Sequence, residues 1–496
     1  MNHLLNGNGN GTSSLAGKPK PELTPVQVGA TLSEINGIQV TFQTDAGIVQ
    51  RGTAVRVGLH DLVFELFSAD TVPRFSESLN DFQVVSQEGT LYAGRAVVNN
   101  LVNDGIRLTY EVSLDECAWS DFCFAVSGLG RKSAHAKFSH FLRDWQKVYA
   151  VNHDYKVAIA DLQTFMSHLR LWLHRAELKI SRESQCDHER IADETALELR
   201  VPVITALNSL YERFEVVSQK IGSDLLAVHR AYGRQQLHPL VLGSLFLHRT
   251  YTKPLGYAGD HEMMSMIVRN GLEGKSIFAK LINAHLLDQP PCRAVRNRVG
   301  YLNARIIEEA GRMALHHAGV NVFCVACGPA WEAVNFVTDH PLADQARFEL
   351  LDFNEETLRL TGGKIGHAIQ KHHRQTRVKT VKNSVQNLLR NKGKRAGEFD
   401  LIYCSGLYDY LSDSVCLALN NQLYEMLAPG GLLVVGNFAT GTPGRNLMEH
   451  LMDWFLIYRN HREMLALAPE RAGLDNCRVR SESAAANLFL EARKPR

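Results

Sequence analysis

The residues of this chain whose types and spacing suit small-ligand chemistry lie between positions 321 and 353. A short apolar run ends in the turn Cys327-Gly328-Pro329-Ala330, a helix-like segment follows, and a second apolar run stops on Asp352. Small residues let the backbone approach a ligand at a helix N-terminus, and a carboxylate that ends the next strand can accept both hydroxyls of a ribose. The pattern indicates a nucleoside-binding βαβ unit. Ala326 and Ala330 stand where two dinucleotide-fingerprint glycines would be, which favours a ligand without a pyrophosphate.

Further predicted strands and helices, which must position these residues, follow along the chain. Phe399 to Cys404 reads as a buried strand, a polar and aromatic loop follows it, and a helix is predicted from about Asp413 to Leu427. The sequence LAPGG at 427–431 ends this helix, and Leu432 to Val435 opens another strand. The chain therefore predicts alternating strands and helices, which is typical of a parallel sheet.

This order of elements, together with the LAPGG turn, resembles the class I S-adenosylmethionine (SAM) methyltransferases. The resemblance implies an α/β Rossmann-like domain with SAM as the cofactor. It departs from the family at Cys324, which stands where the first strand of the family usually ends in an acid. The resemblance, together with the small-residue turn and the strand-end acid, assigns twelve residues to the cofactor. They are Ala326, Cys327, Gly328, Pro329, Asp352, Phe353, Asn383, Ser384, Val385, Cys404, Ser405 and Gly406.

Four further motifs resemble a narrower bacterial family, the 3-hydroxypalmitic acid methyl ester biosynthesis proteins, which are linked to quorum-sensing signals. These motifs are the LGYAGD loop at 255–260, the VACGPA turn at 325–330, the YDYL loop at 408–411 and a DWxLIYR helix at 453–459. The resemblance implies methyl transfer from SAM to the carboxylate of a 3-hydroxy fatty acid, which yields a methyl ester signal molecule. A carboxylate is already a nucleophile at pH 7, whereas an alcohol or amine must first lose a proton.

Within this interpretation, arginines neutralise the acid, and tyrosines with an asparagine orient it or line the methyl path. The catalytic candidates are Tyr257, Tyr408, Asn437 and Arg445, and the substrate-binding candidates are Arg298, Tyr410 and Arg459. A helix over Met448 to Arg459 is predicted to form one wall of an amphiphilic pocket, with ordinary core packing as the alternative for Trp454. The loop from Arg249 to Asp260 reads either as a lid or as a tight turn.

Composition excludes several other classes. The chain has 54 basic and 52 acidic residues, which gives a net charge of +2 and points to no polyanionic partner. The loop after the predicted fourth strand is not Asp/Asn-Pro-Pro-Tyr/Phe, which argues against methylation of nucleic-acid amino groups. Nine scattered cysteines and the absence of a long apolar run predict a cytoplasmic protein with reduced thiols and no membrane insertion. We expect no metal site.

Four regions are predicted along the chain: a disordered tail (1–28), a small β-barrel (29–130), a helical cap or dimerisation region (131–248) and the methyltransferase domain (249–496). The barrel resembles the PilZ type, which often binds cyclic di-GMP. Arg51 and Arg56 are five residues apart and the stretch 60–64 lacks the Ser and Gly of that motif, so a structural or docking role is favoured. Two alternatives stay open, a non-catalytic SAM-sensing regulator and a small-molecule O- or N-methyltransferase regulated through the barrel.

Overall fold

A computed structural model describes residues 38–44, 48–66, 73–86, 89–103, 108–115, 118–119, 142, 150–180, 185–390 and 395–496. The predicted disordered tail at 1–28 lies outside the described residues, as does the predicted boundary near residue 130.

The described N-terminal residues form a closed barrel, as predicted. Its strands pair in the order β1-β2-β3-β6-β5-β4. Alternate side chains point inward, and the rings of Phe42, Phe64, Phe82 and Tyr110 pack against one another at the centre. The strands are β1 (Gln39–Gln43), β2 (Val49–Val57), β3 (Asp61–Leu66), β4 (Ser78–Ser86), β5 (Gly89–Asn103) and β6 (Leu108–Leu114).

Helices dominate the part of the chain that follows. They are α1 (His153–Ile180), α2 (Gln185–Ser218), α3 (Leu226–Val241), α4 (Leu245–Thr252), α5 (His261–Arg269) and α6 (Ile277–Leu287). Apolar side chains at helical spacing on α1, such as Ile159, Leu162 and Met166, are fully buried. They belong to one core that continues through α6 to Trp454 near the C-terminus. Among the described helices, none combines the length and the hydropathy that a membrane span requires.

A seven-stranded sheet organises the C-terminal part of the described chain, in the order β12-β13-β11-β10-β7-β8-β9. All of its strands are parallel except β13, which runs antiparallel to both β11 and β12. This is the Rossmann-like class I methyltransferase architecture predicted from the sequence. The strands are β7 (Val320–Val325), β8 (Ala346–Asp352), β9 (Arg377–Lys382), β10 (Phe399–Cys404), β11 (Leu427–Phe438), β12 (Cys477–Ser481) and β13 (Asn487–Arg493).

Helices cover both faces of this sheet, because its strands alternate apolar side chains toward two cores. One core includes residues of α7, α8 and α9, and the other includes residues of α11 and α13. The helices are α7 (Pro290–Ala314), α8 (Trp331–Asp339), α9 (Glu355–Lys371), α10 (Val385–Arg390), α11 (Asp413–Met426), α12 (Arg445–Leu451) and α13 (His461–Ala466).

The structure corrects the prediction of a helix over 448–459. Helix α12 ends at Leu451, and Asp453 adopts a left-handed backbone with φ of 48°. The Trp454 N–H donates back to the Met448 carbonyl, residues 453–458 have no regular secondary structure, and the Arg459 N–H donates to the Phe438 carbonyl. The apolar residues Trp454, Phe455 and Leu456 of this irregular segment are buried, and Trp454 lines the cleft described below.

Candidate functional site

A cleft of about 1290 Å3, counting its open mouth, lies outside the carboxyl ends of β7, β8 and β10. Strand order reverses between β7 and β10, because the chain proceeds from β7 outward to β9 and then returns to β10 on the other side. In open parallel sheets the crevice at such a reversal is the usual ligand site. The cleft is therefore the candidate functional site of the described structure.

The turn after β7 forms the floor of the cleft. Ala326, Gly328 and Ala330 all have positive φ, at 52°, 51° and 45°. For an alanine this conformation costs about 1 to 2 kcal/mol, and such strain clusters at functional sites. A Cβ added at Gly328 would meet no atom within 4 Å, so the space beside this backbone is open to a ligand.

Asp352 ends β8 beside this turn. Its Oδ2 accepts a hydrogen bond from the Gly328 N–H (3.1 Å) and its Oδ1 accepts one from the Asn354 N–H (3.0 Å). Burial raises the pKa of the Asp352 carboxyl, and these N–H groups partly offset the rise. A carboxylate has about four acceptor sites, so acceptor positions are left for ligand hydroxyls at a side chain that lines the cleft.

The neighbouring walls continue this side of the cleft. The Phe353 ring lies 5.2 Å from the Tyr257 ring, centroid to centroid. Asn383, Ser384 and Val385 follow β9, and the Asn383 N–H donates to the Asp352 carbonyl. All of the residues that the sequence assigned to the cofactor line the cleft, except Cys404.

A buried acid that the sequence reasoning missed, Glu332, also lines the cleft. It lies in the first turn of α8, and its Oε1 accepts a hydrogen bond from the Tyr403 hydroxyl (2.9 Å). Burial raises the pKa of Glu332, while the Tyr403 hydrogen bond and the Arg298 charge oppose the rise. Cys324 on β7 lies opposite Tyr403 on β10. Glu332 thus brings a buried carboxyl group to the cleft near Cys324, and an acidic residue in the first turn of the helix was the available signal.

Arg298 of α7 also lines the cleft. Its side chain is buried, and no carboxylate of the described residues lies within ion-pair distance of it. Burial lowers the pKa of this guanidinium, and the charge of Asp409 opposes that shift. A Cβ at Gly406 would lie 3.2 Å from Nη2 of Arg298, so the glycine makes room for the guanidinium. Its Nη2 donates to the Met264 sulfur (3.3 Å), the buried acids Asp409 and Glu332 act on its charge, and Val268, Val295 and Val299 are among the apolar residues that line the same cleft.

Asp409 is a second acid that the sequence reasoning did not select. One of its oxygens accepts the Phe438 N–H at 2.7 Å, and burial raises the pKa of Asp409 to about 6 although Arg298 and Arg459 lower it. The next residue, Tyr410, accepts a hydrogen bond from the Trp454 indole N–H (2.8 Å), and both rings line the cleft. Trp454 therefore packs in the core and also forms part of the cleft wall.

Three predicted site residues do not line the cleft. Their side chains instead form hydrogen bonds and ion pairs with the loops around it. The Tyr408 hydroxyl donates to Asn420 (2.5 Å). Arg459 forms an ion pair with Asp413 (2.8 Å) and donates to the carbonyls of Tyr408 and Leu411. Asn437 accepts from Arg459 and donates to the carbonyls of Phe438 and Ile457. The predictions of direct contact for Tyr408, Asn437 and Arg459 are corrected: these residues fix the loops that carry Asp409 and Tyr410.

Arg445 and Cys404 are also corrected. Arg445 forms an ion pair with Glu449 on the same helix, α12, and its guanidinium lies 4.6 Å from the Tyr458 ring centroid. It is half-exposed and does not line the cleft. Cys404 is the last residue of β10 and its side chain is buried in the sheet core. Tyr257, Arg298 and Tyr410 are the predicted catalytic or substrate residues that the structure brings together.

No known family model and no curated protein matches this sequence. Among solved structures, the chain is similar to a possible exported protein from Bordetella parapertussis (17% identity, TM-score 0.39, covering 61% of this chain and 97% of that one). It is also similar to magnesium protoporphyrin IX methyltransferase from Synechocystis PCC 6803 with bound SAH (14%, TM-score 0.31, 42% and 86%). A third is an N-methyltransferase from Bradyrhizobium japonicum WM9 with S-adenosyl-L-homocysteine (19%, TM-score 0.26, 42% and 90%). These TM-scores are low, so the fold assignment rests on strand order and direction.

Proposed function

We propose that this protein is a SAM-dependent methyltransferase that methylates the carboxylate of an amphiphilic acid, with a 3-hydroxy fatty acid as the specific candidate. One observation carries the proposal. A single cleft contains both a nucleoside-type subsite, built by Asp352 and the turn at Gly328, and a buried guanidinium, Arg298, that has no carboxylate of the described residues within ion-pair distance and shares the cleft with several apolar side chains.

The donor side suits SAM in chemical type. Asp352 offers acceptors to ribose hydroxyls, the open space at Gly328 admits close approach, and Glu332 offers a buried negative charge to an ammonium group. When bound, SAM supplies an electrophilic methyl group on a sulfonium. The protein's own task is then to align the acceptor with that group and to exclude water.

The acceptor side suits an acid with an alkyl chain. The Arg298 guanidinium can donate two parallel hydrogen bonds to a carboxylate, and its burial makes such a charge-assisted pair strong. Val268, Val295 and Val299 provide apolar contact for carbon atoms next to that head group. Tyr257 and Tyr410 line the same cleft, where their hydroxyls can hydrogen-bond a hydroxyl of the acceptor. The 3-hydroxy group itself comes from the sequence resemblance.

The decisive experiment incubates the purified full chain with methyl-labelled SAM and a lipid extract supplemented with free 3-hydroxy fatty acids, with mass spectrometry as the readout. We expect labelled methyl esters from the wild-type protein and far less product from Asp352→Ala, which lacks the ribose contact, when the SAM concentration is near the wild-type Kd. Label in a different compound would keep the methyltransferase and discard this acceptor. Bound SAM with label in no product would discard catalysis in favour of SAM sensing.

A second candidate is methylation of a hydroxyl or amine, with Asp409 as the general base. The observation that favours it is the position of this acid in the cleft together with its pKa of about 6, which suits proton abstraction near neutral pH. The two candidates differ in pH dependence. A general base makes the rate rise through about pH 6 and fail in Asp409→Asn, whereas a carboxylate acceptor needs no base and keeps its rate in that variant.

A further inference from the structure

The barrel contributes directly to the cleft through the segment 73–78, which precedes and enters β4. Arg74 and Phe75 line the cleft beside Tyr257. The Ser78 N–H donates to the Gly256 carbonyl (2.7 Å), and Glu77 and Tyr257 form an isolated antiparallel β-bridge. The barrel is therefore joined by backbone hydrogen bonds to the loop that carries Tyr257.

A second contact ties the same segment to the other wall of the cleft. Ser76 is fully buried and has a φ of 62°. Its hydroxyl donates to the Asp453 carbonyl (2.9 Å) and accepts from the Phe455 N–H (3.1 Å). The barrel thus holds the residues on both sides of Trp454, whose indole lines the cleft.

A buried ion cluster reinforces this docking. Asp453 forms an ion pair with Arg95 of β5 (2.8 Å) and with Arg234 of α3. Arg234, Arg95 and Lys253 together lower the pKa of Asp453 although burial opposes ionisation. The position of the barrel against the cleft is consequently fixed by paired charges as well as by backbone contacts.

Arg74 has no such structural partner. Its guanidinium carbon lies 4.5 Å from the centroid of the Phe353 ring, and no carboxylate of the described residues lies within ion-pair distance. Its charge helps to lower the pKa of Asp352. The Arg74 side chain is half-buried. Its guanidinium N–H groups can therefore donate hydrogen bonds to a ligand next to Asp352 and Phe353.

We propose that Arg74 is a specificity-determining residue of the donor site. It belongs to the barrel and contacts the nucleoside end of bound SAM. Its guanidinium lies over the Phe353 ring in the lining of the cleft, where it can donate to ribose or adenine acceptors. The donor site is then incomplete without the barrel, although that segment precedes the sheet by more than two hundred residues. The proposal rests on SAM as the donor and is independent of the acceptor.

The test compares full-length wild-type protein with Arg74→Met, Arg74→Lys and the control Arg51→Ala, an exposed arginine of β2 on the same barrel. Calorimetry measures the Kd for SAM and for 5′-methylthioadenosine, which keeps the nucleoside and lacks the amino acid part. Arg74→Met keeps apolar packing on Phe353 and removes the charge and the donors. We expect it to weaken both ligands by roughly tenfold, with Arg74→Lys weakened as well and Arg51→Ala unchanged.

Each other outcome overturns a defined part of the reasoning. A Kd within twofold of wild type for folded Arg74→Met removes the donor role. A loss for SAM alone places Arg74 at the amino acid end and overturns the nucleoside assignment. If wild-type protein binds neither ligand, the proposed donor fails together with this inference. Thermal unfolding of each variant separates a binding defect from a folding defect, and Arg74→Lys serves if Arg74→Met does not fold.

Discussion

Replacing Glu332 by glutamine is the sharpest test of how this cleft binds a methyl donor. Glu332 is 6% exposed, and its carboxylate accepts the Tyr403 hydroxyl at 2.9 Å. A glutamine has nearly the same shape, and its amide oxygen can keep the Tyr403 hydrogen bond. The substitution therefore removes a negative charge and little else from the methionine side of the proposed donor site.

The expected loss follows from the value of a charged hydrogen bond. Such a bond to an ammonium group contributes roughly 1.5 to 3 kcal/mol, so the Kd for SAM should rise about ten- to a hundredfold. 5′-Methylthioadenosine has no ammonium group, and we expect its Kd to stay within about twofold. The pair of ligands, measured by calorimetry on both proteins, isolates the contribution of the amino acid end.

The pH dependence gives an independent check with a definite sign. Burial raises the pKa of Glu332, so the wild-type carboxylate gains a proton as the pH falls toward that raised value and SAM binding weakens there. Asp352 also has a raised pKa, but it affects both ligands, so the ratio of the two Kd values reports Glu332. That ratio should lose its pH dependence in Glu332→Gln. An equal loss for both ligands, or no loss for SAM, would refute the placement of the ammonium group at Glu332.

Three other substitutions separate the remaining roles. Asp352→Ala should weaken SAM and 5′-methylthioadenosine alike, by roughly 2 to 4 kcal/mol in calorimetry, since it removes the ribose acceptors. Arg298→Met should raise the KM for an acid acceptor by about tenfold or more and leave the Kd for 5′-methylthioadenosine, which has no ammonium group to contact Glu332, unchanged. Asp409→Asn should increase the free energy of unfolding by roughly 3 kcal/mol at pH 8 and have little effect below pH 4, because a pKa of about 6 in the folded state penalises the ionised acid above that pH.

The sheet and the donor side of the cleft could be predicted because their signals are local. β7 and β8 are short apolar runs, and a turn of small residues or an acid follows each directly. Parallel strands bring such C-terminal residues to one edge of the sheet, so Gly328 and Asp352 had to lie near each other. Their 3.1 Å hydrogen bond is the result.

The acceptor side could not be predicted, because an arginine's partners are set by distant parts of the chain. Arg298 and Arg459 are both buried. Arg298 lines the cleft, whereas Arg459 is paired with Asp413 and hydrogen-bonded to backbone carbonyls. The prediction of a helix over 448–459 was wrong for the same reason. Asp453 is held in a left-handed conformation by contacts to Ser76, Arg95 and Arg234, which are hundreds of residues away in sequence.

The contact between Ser76 and Asp453 also explains why strained backbone conformations are retained where the barrel meets the cleft. Ser76 and Asp453 both have left-handed backbones, at φ of 62° and 48°, and the serine hydroxyl donates to the aspartate carbonyl. Each such conformation costs about 1 kcal/mol or more. The hydrogen bonds and ion pairs at Asp453 offset that cost only when the barrel, α3 and the segment after α12 are all in place. A strained residue that three regions hold in position next to Trp454 makes the geometry of the cleft depend on the assembly of the whole chain.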